Sequence, residues 1–147
     1  MASYFLDTSA LAKRYIVEQG TQRVVALVEG ADRLIVSRLT MVEVTSALAR
    51  RARTGNLTTD QLSSILNAFE TELRDRFAVM ELGTPVMTRA TDLARVHGLR
   101  AADAIQLACA LLAGGSRPAE ASLTLVSSDE ELNGAAAREG LVVLDPK

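Results

Sequence analysis

Tyr4-Phe5-Leu6-Asp7-Thr8-Ser9-Ala10-Leu11 is the stretch that decides how this chain folds. Three apolar residues run without alternation into an aspartate, and helical spacing follows at once. A short strand that is apolar on both faces belongs inside a parallel sheet covered by helices on either side. The pattern predicts a strand over residues 4–6 and a helix over about residues 10–17, with Thr8 or Ser9 as its cap.

The alternation continues outward. Apolar runs predict further strands at 34–36, 77–82, 123–126 and 141–144. Between them lie helical stretches at 22–29, 40–53, 59–75, 85–97, 102–112 and 129–138, with Gly30, Gly55, Gly98 and Gly114-Gly115 placed to stop four of them. Residues 114–122 form the one polar, proline-containing loop. No repeat or linker interrupts the pattern. The expected fold class is α/β: a single α/β/α sandwich over residues 1–147 around a central parallel sheet of about five strands.

Composition sets the bounds. A chain of 147 residues with 48% apolar and 23% charged residues closes a full core and is not disordered. Cys109 is the only cysteine, which excludes a disulfide framework and a cysteine-based zinc site. No apolar run reaches the roughly 18 residues of a membrane span. The start Met1-Ala2-Ser3-Tyr4 has no charged leader region, so a cytoplasmic location is expected. The 16 basic residues against 18 acidic ones, net −2, argue against a simple basic nucleic-acid binder. Fourteen of the basic residues are arginine, either through compositional bias (alanine is also abundant) or because a planar guanidinium suits phosphate. Five aromatics and no tryptophan offer no platform for stacking bases.

In an open parallel sheet, ligands bind beyond the carboxyl ends of the strands. Asp7 directly ends the first strand, and Asp129 follows the fourth after Ser127-Ser128. Glu43 and Asp103 stand near the starts of two helices. Each also has a structural explanation. Asp7 and Asp129 suit helix caps, Glu43 has capping-box spacing from Thr40, and Asp103 in a first turn opposes the helix dipole. Four carboxylates gathered at one sheet end would repel one another unless a cation sat among them. Hard oxygen donors without imidazole or thiol suit Mg²⁺ or Mn²⁺, an arrangement fitted to phosphodiester cleavage.

Leu6-Asp7-Thr8-Ser9-Ala10-Leu11, Glu43 in a helix after Ser37, Leu99-Arg100-Ala101-Ala102-Asp103-Ala104-Ile105-Gln106-Leu107-Ala108, and Val126-Ser127-Ser128-Asp129 together resemble PIN-domain ribonucleases. More narrowly, the chain resembles the VapC-type toxins of toxin–antitoxin pairs. The motifs come in the family's order, and the resemblance spans essentially the whole chain.

The resemblance implies that Asp7, Glu43, Asp103 and Asp129 form a catalytic cluster holding Mg²⁺ or Mn²⁺. Ser9 matches the family's small hydroxyl residue after the first acid, with Thr8 beside it. Ser127 stands where relatives often carry threonine. The activity implied is hydrolysis of RNA, structured tRNA or rRNA, to a 5′-phosphate and a 3′-hydroxyl. The partners implied are a small antitoxin covering the acidic groove and a second copy of the chain. Lys13, Arg14, Arg50 and Arg51 are candidate RNA contacts, with a solvated helix face as the alternative for each. Asp92 and His97 match no motif, and Cys109 reads as core.

Competing readings remain at this level. A housekeeping RNA-processing nuclease or a silent RNA-binding module shares the same motifs. A phosphoacceptor receiver is a remoter alternative, since its acids pair after the first strand and a lysine follows its fifth. Here Lys147 follows the fifth strand only after Pro146. A haloacid-dehalogenase-type phosphatase needs an aspartate where Ser9 stands.

Overall fold

The computed structural model describes residues 2–115 and 122–147. Its strands are β1 (Ser3–Leu6), β2 (Arg33–Ser37), β3 (Phe77–Met80), β4 (Leu123–Val126) and β5 (Val142–Leu144). Its helices are α1 (Thr8–Tyr15), α2 (Thr21–Gly30), α3 (Arg38–Arg53), α4 (Thr59–Arg76), α5 (Thr84–His97), α6 (Ala101–Gly115) and α7 (Glu130–Arg138). Of the loop expected at 114–122, Gly114 and Gly115 close α6, and residues 116–121 lie outside the described residues.

The five strands pair in the order β3-β2-β1-β4-β5, all parallel. The chain builds outward from β1 through β2 to β3, then returns to the other side of β1 for β4 and β5. The boundary between β1 and β4 is therefore the topological switch point, where adjoining connections leave a crevice at the carboxyl ends. The strand order also separates this fold from the receiver reading, whose order is 2-1-3-4-5.

Alternation along the strands divides the core into two layers. Phe5, Ile35 and Leu125 point to one side and pack under α5, α6 and α7 with Val86, Leu93, Leu107 and Leu132. Leu6, Val36 and Val126 point to the other side, against α1 to α4, with Leu11, Val28, Leu48 and Phe69. Apolar side chains on both faces of every central strand make the three-layer sandwich the only way to bury them. Cys109 is fully buried in the first layer. Among the described residues no single helix is long and apolar enough to cross a membrane.

Helix starts differ from expectation in an instructive way. α1 and α3 begin directly after their strands, at Thr8 and Arg38, because Asp7 and Ser37 take the N-cap positions. Thr40 is thus inside α3 and does not form the expected capping box with Glu43. The reciprocal box is in α4, where Thr58 Oγ1 accepts from the Gln61 N–H and Gln61 Oε1 accepts from the Thr58 N–H.

α1 is tied to α4 by charge as well as packing. Arg14 donates from Nε and Nη2 to the two oxygens of Glu72, at 2.6 and 2.7 Å, and the Tyr15 hydroxyl donates to the same carboxylate. Burial would raise Glu72, but the Arg14 and Tyr15 hydrogen bonds outweigh it and hold the carboxyl below its usual range. Burial and the Glu72 carboxylate together push the Tyr15 phenol well above its ordinary value.

Glu72→Ala leaves the Arg14 guanidinium without its partner, and thermal or urea unfolding near neutral pH should show a loss of about 1–3 kcal/mol. A depressed folded-state pKa gives stability that is present above the unfolded value and lost as pH falls through the folded one. The difference between wild type and Glu72→Ala should therefore shrink on acidification below the ordinary carboxylate range.

Candidate active site

Asp7 sits at the switch point itself. Its backbone N–H extends the β1–β4 ladder to the Val126 carbonyl at 3.1 Å, and its own carbonyl receives the Leu11 N–H of α1. The side chain is only 3% exposed. Oδ1 accepts from Ser9 Oγ at 2.7 Å and from the Ala10 N–H at 3.1 Å, so Asp7 is a helix cap as well as a candidate ligand. Oδ2 accepts from Ser127 Oγ at 3.2 Å.

The two serines act as relays between strands. Ser9 gives its hydrogen to Asp7 and accepts the Ser128 N–H at 2.9 Å. Ser127 gives its hydrogen to Asp7 and accepts the Asp129 N–H at 3.1 Å. The turn after β4 is thereby hung on the carboxylate that ends β1. Asp129 caps α7 by accepting the Leu132 N–H on Oδ1 at 2.9 Å, and its Oδ2 accepts nothing from the described residues.

Glu43 is oriented from two other helices. Thr8 Oγ1 of α1 donates to Glu43 Oε1 at 2.7 Å, and Gln106 Nε2 of α6 donates to the same oxygen at 2.9 Å. Gln106 also donates to Thr40 Oγ1 at 3.1 Å, so one buried amide ties α6 to α3 beneath the acids. Gln106 was not singled out from sequence. The readable signal was a lone amide in the apolar run 104–113, one helical turn beyond Asp103.

Asp103 senses all the other acids. Burial pushes its carboxyl up to about 6, and the charges of Asp129 and Glu43 add to that, with Arg100 opposing. Burial is also the main reason Asp7 rises to about 7; the Ser9, Ala10 and Ser127 hydrogen bonds pull it down, and Asp103 raises it further. Among the described residues, no three carboxylates are drawn close enough to make a ready-made ligand set. Asp103 lies near enough to Asp7, Glu43 and Asp129 for charge to couple them, and of these four only Asp129 lines the open groove beside α1 and α3.

Thr8, Ser9, Lys13, Arg51, Ser128, Asp129 and Lys147 line this open groove beside α1 and α3. Lys13 and Arg51 are both directed at Glu18, at 3.1 and 3.8 Å. The other two proposed RNA contacts lie elsewhere. Arg14 is committed to Glu72, and Arg50 is exposed and does not line the groove. A second depression, between α5 and α6 and lined by Met87, Ala90 and Ile105 among others, carries no titratable group.

The donor set suits a hard divalent cation. It consists of carboxylate and hydroxyl oxygens, whereas His97 is paired with Glu139 and Cys109 lies in the core. Asp7 and Asp103, whose carboxyls burial raises, are groups whose ionised form a cation would favour.

A parallel sandwich with acids at its central switch point is the architecture of a PIN domain, and the PIN domain profile matches residues 4–137. Two curated Mycobacterium tuberculosis proteins, Ribonuclease VapC45 and Ribonuclease VapC49, are each 38% identical to this chain over 117 residues, 78% of both lengths. The chain belongs to the PIN-domain family, in its VapC ribonuclease group. Solved structures share the fold. PAE2754 from Pyrobaculum aerophilum superimposes with a TM-score of 0.70 at 23% identity, covering 97% of this chain and 83% of the other. Mycobacterium tuberculosis VapC20, described as a Sarcin-Ricin loop cleaving toxin, gives 0.69 at 15% identity over 95% and 96%. FitAB bound to a DNA fragment gives 0.70 at 20% identity over 97% and 94%.

The Asp7 environment makes a prediction that needs no substrate. A carboxyl whose folded pKa is raised from 3.8 to about 7 favours the native state below the unfolded value, and that advantage fades as pH climbs toward 7. In chelator, Asp7→Asn should be more stable than wild type at pH 8, by about 1–3 kcal/mol, with the difference closing toward pH 4. Melting curves across that range check it; wild type being the more stable at pH 8 would contradict the assignment.

Proposed function

We propose that this chain is a metal-dependent endoribonuclease, the toxin of a toxin–antitoxin pair, and that the acids around Asp7 are its active centre. The observation that carries the reading is the buried Asp7 carboxyl at the switch point, coupled to Asp103, which is in turn coupled to Glu43 and Asp129. Membership in the VapC ribonuclease group supports RNA as substrate. The likeness to solved toxin–antitoxin complexes, VapBC-1 from nontypeable Haemophilus influenzae among them, supports a small antitoxin as partner.

Asp7, Asp103 and Glu43 would hold a Mg²⁺ or Mn²⁺ ion, with Asp129 completing the set. When bound, the ion supplies charge neutralisation at the phosphate and activation of the attacking water. The chain's own contribution is orientation. Ser9 and the Ala10 N–H occupy Oδ1 of Asp7, and Ser127 fixes Oδ2, which keeps a lone pair for a cation. Thr8 and Gln106 fix Glu43 from opposite elements. Lys13 and Arg51 supply positive charge along the wall where the RNA backbone would run. With few aromatics, recognition rests on RNA shape rather than base stacking.

Incubating the purified chain with total RNA in Mg²⁺ or Mn²⁺, then sequencing 5′-phosphate ends, should reveal discrete cuts that chelator abolishes. Asp7→Asn and Asp103→Asn should each lower cleavage by at least about 100-fold. Either variant cutting at the wild-type rate, or undiminished cutting in chelator, would overturn the reading.

Gln106→Leu separates the site from the fold. Gln106 Oε1 is buried without a partner among the described residues, so an apolar side chain of similar volume relieves that atom while giving up the Thr40 and Glu43 contacts, and the melting temperature should fall only by a few degrees. Loss of the Glu43 hydrogen bond should nevertheless reduce cleavage by about 10–100-fold, as for other groups that orient metal ligands.

A further inference from the structure

We infer that Lys147 is a phosphate-contacting residue, carried to the groove that Asp129 lines by a strap, Asp145-Pro146-Lys147, that folds back after β5. The inference rests on the nuclease reading above and adds to it a contact that the family motifs do not include.

The path of the strap is specified by the residues around it. The Lys147 N–H and the Ser128 hydroxyl both donate to Asp145 Oδ1, at 3.0 and 3.1 Å. Arg23 Nη1 donates to the backbone oxygens of Asp145 and Lys147, at 3.3 and 3.2 Å. Gly20 lies against Pro146 with φ +96°, and a Cβ there would come within 2.8 Å of the Pro146 carbonyl oxygen. A glycine is required both for that backbone angle and for that approach. Pro146 is buried, while Lys147 is exposed at the groove.

The side chain at the end of the strap is a cation in no direct ion pair, although its charge reaches Asp145 and helps hold that carboxyl below its usual range. Lys147 Nζ donates to the Ser128 carbonyl at 3.2 Å, one residue from Asp129. An ammonium has three hydrogens, and this contact uses one. Among the described residues no carboxylate lies within ion-pair distance of Lys147. The other two groove cations, Lys13 and Arg51, are drawn to Glu18. Among the described lining cations, Lys147 is thus the one whose ammonium no carboxylate contacts directly. It stands beside acids that would repel a polyanion, where a point charge on a flexible stem can meet a phosphodiester oxygen.

The test uses the full chain carrying Asp103→Asn, titrated with a labelled single-stranded RNA oligonucleotide of mixed sequence over a range of salt concentrations. Adding Lys147→Gln should weaken binding about three- to tenfold at moderate salt and flatten the log–log salt slope by about 0.7, one phosphate contact on a single strand. Lys147→Arg should keep both affinity and slope, and melting temperatures should match. Unchanged affinity and slope for Lys147→Gln, in a chain whose wild type cleaves RNA, overturn this inference and leave the nuclease reading intact. Lys147→Arg failing as badly as Lys147→Gln also overturns it, since a strap with a purely structural role would respond that way. A wild type that cleaves no RNA fails at the earlier step.

Discussion

A carboxyl group buried at the end of a central strand is a cost that the rest of the fold must justify and contain. Asp7 is held by a main-chain N–H and two serine hydroxyls, yet burial still dominates its pKa. The same residue bonds β4 through its N–H, caps α1 through Oδ1, and anchors the turn before α7 through Ser127. Cap and ligand are often treated as competing explanations of an acid at a strand end. Here one oxygen carries the cap while its neighbour takes the Ser127 hydroxyl of the β4 turn, so the cap itself fixes where the second oxygen points.

The strand order explains why this position holds the acids. Connections from β1 and from β4 diverge to opposite halves of the sheet, so nothing crosses the space between their carboxyl ends. Into that space α1 and the β4–α7 turn bring Asp7 and Asp129 directly. α3 and α6 bring Glu43 and Asp103 from opposite layers of the sandwich. Gln106 is the joint between those layers, since its amide from α6 meets Thr40 and Glu43 of α3. An acid placed by one helix is thus positioned by another, and the site is only as well ordered as the packing of both layers on the sheet.

The strands were legible because fully apolar runs admit few other readings, and β4 falls on the expected residues. The four acids stand out in the sequence because Asp7 and Asp129 follow strands and Asp103 and Glu43 lie in the first and second turns of α6 and α3, close to the carboxyl edge. The helix starts were less so. Thr40-x-x-Glu43 and Thr58-x-x-Gln61 have the same spacing, and only the second is a capping box. What distinguishes them is Ser37, which ends β2 and starts α3 at once, leaving Thr40 to face Gln106. Lys147 was invisible for a similar reason. Its place depends on Gly20, Arg23 and Ser128, residues separated from it by more than a hundred positions or by an entire helix.

Charge is where the structure changes the reading most. Setting aside the four candidate site acids leaves 14 acidic against 16 basic residues, a surplus too small to attract RNA by net charge. The abundance of arginine does not alter this, because Arg14, Arg38, Arg51, Arg74, Arg89 and Arg95 are each within ion-pair distance of a carboxylate. Six of the fourteen guanidinium forks therefore meet acids of the chain itself, and in the bidentate Arg14–Glu72 pair the fork fastens α1 to α4. Attraction for a polyanion has to arise locally, from the few cations at the groove and from whatever positive charge the acids hold. A nuclease built this way would bind its substrate weakly by charge alone, so its selectivity would rest on how well an RNA's shape brings one phosphate to the groove.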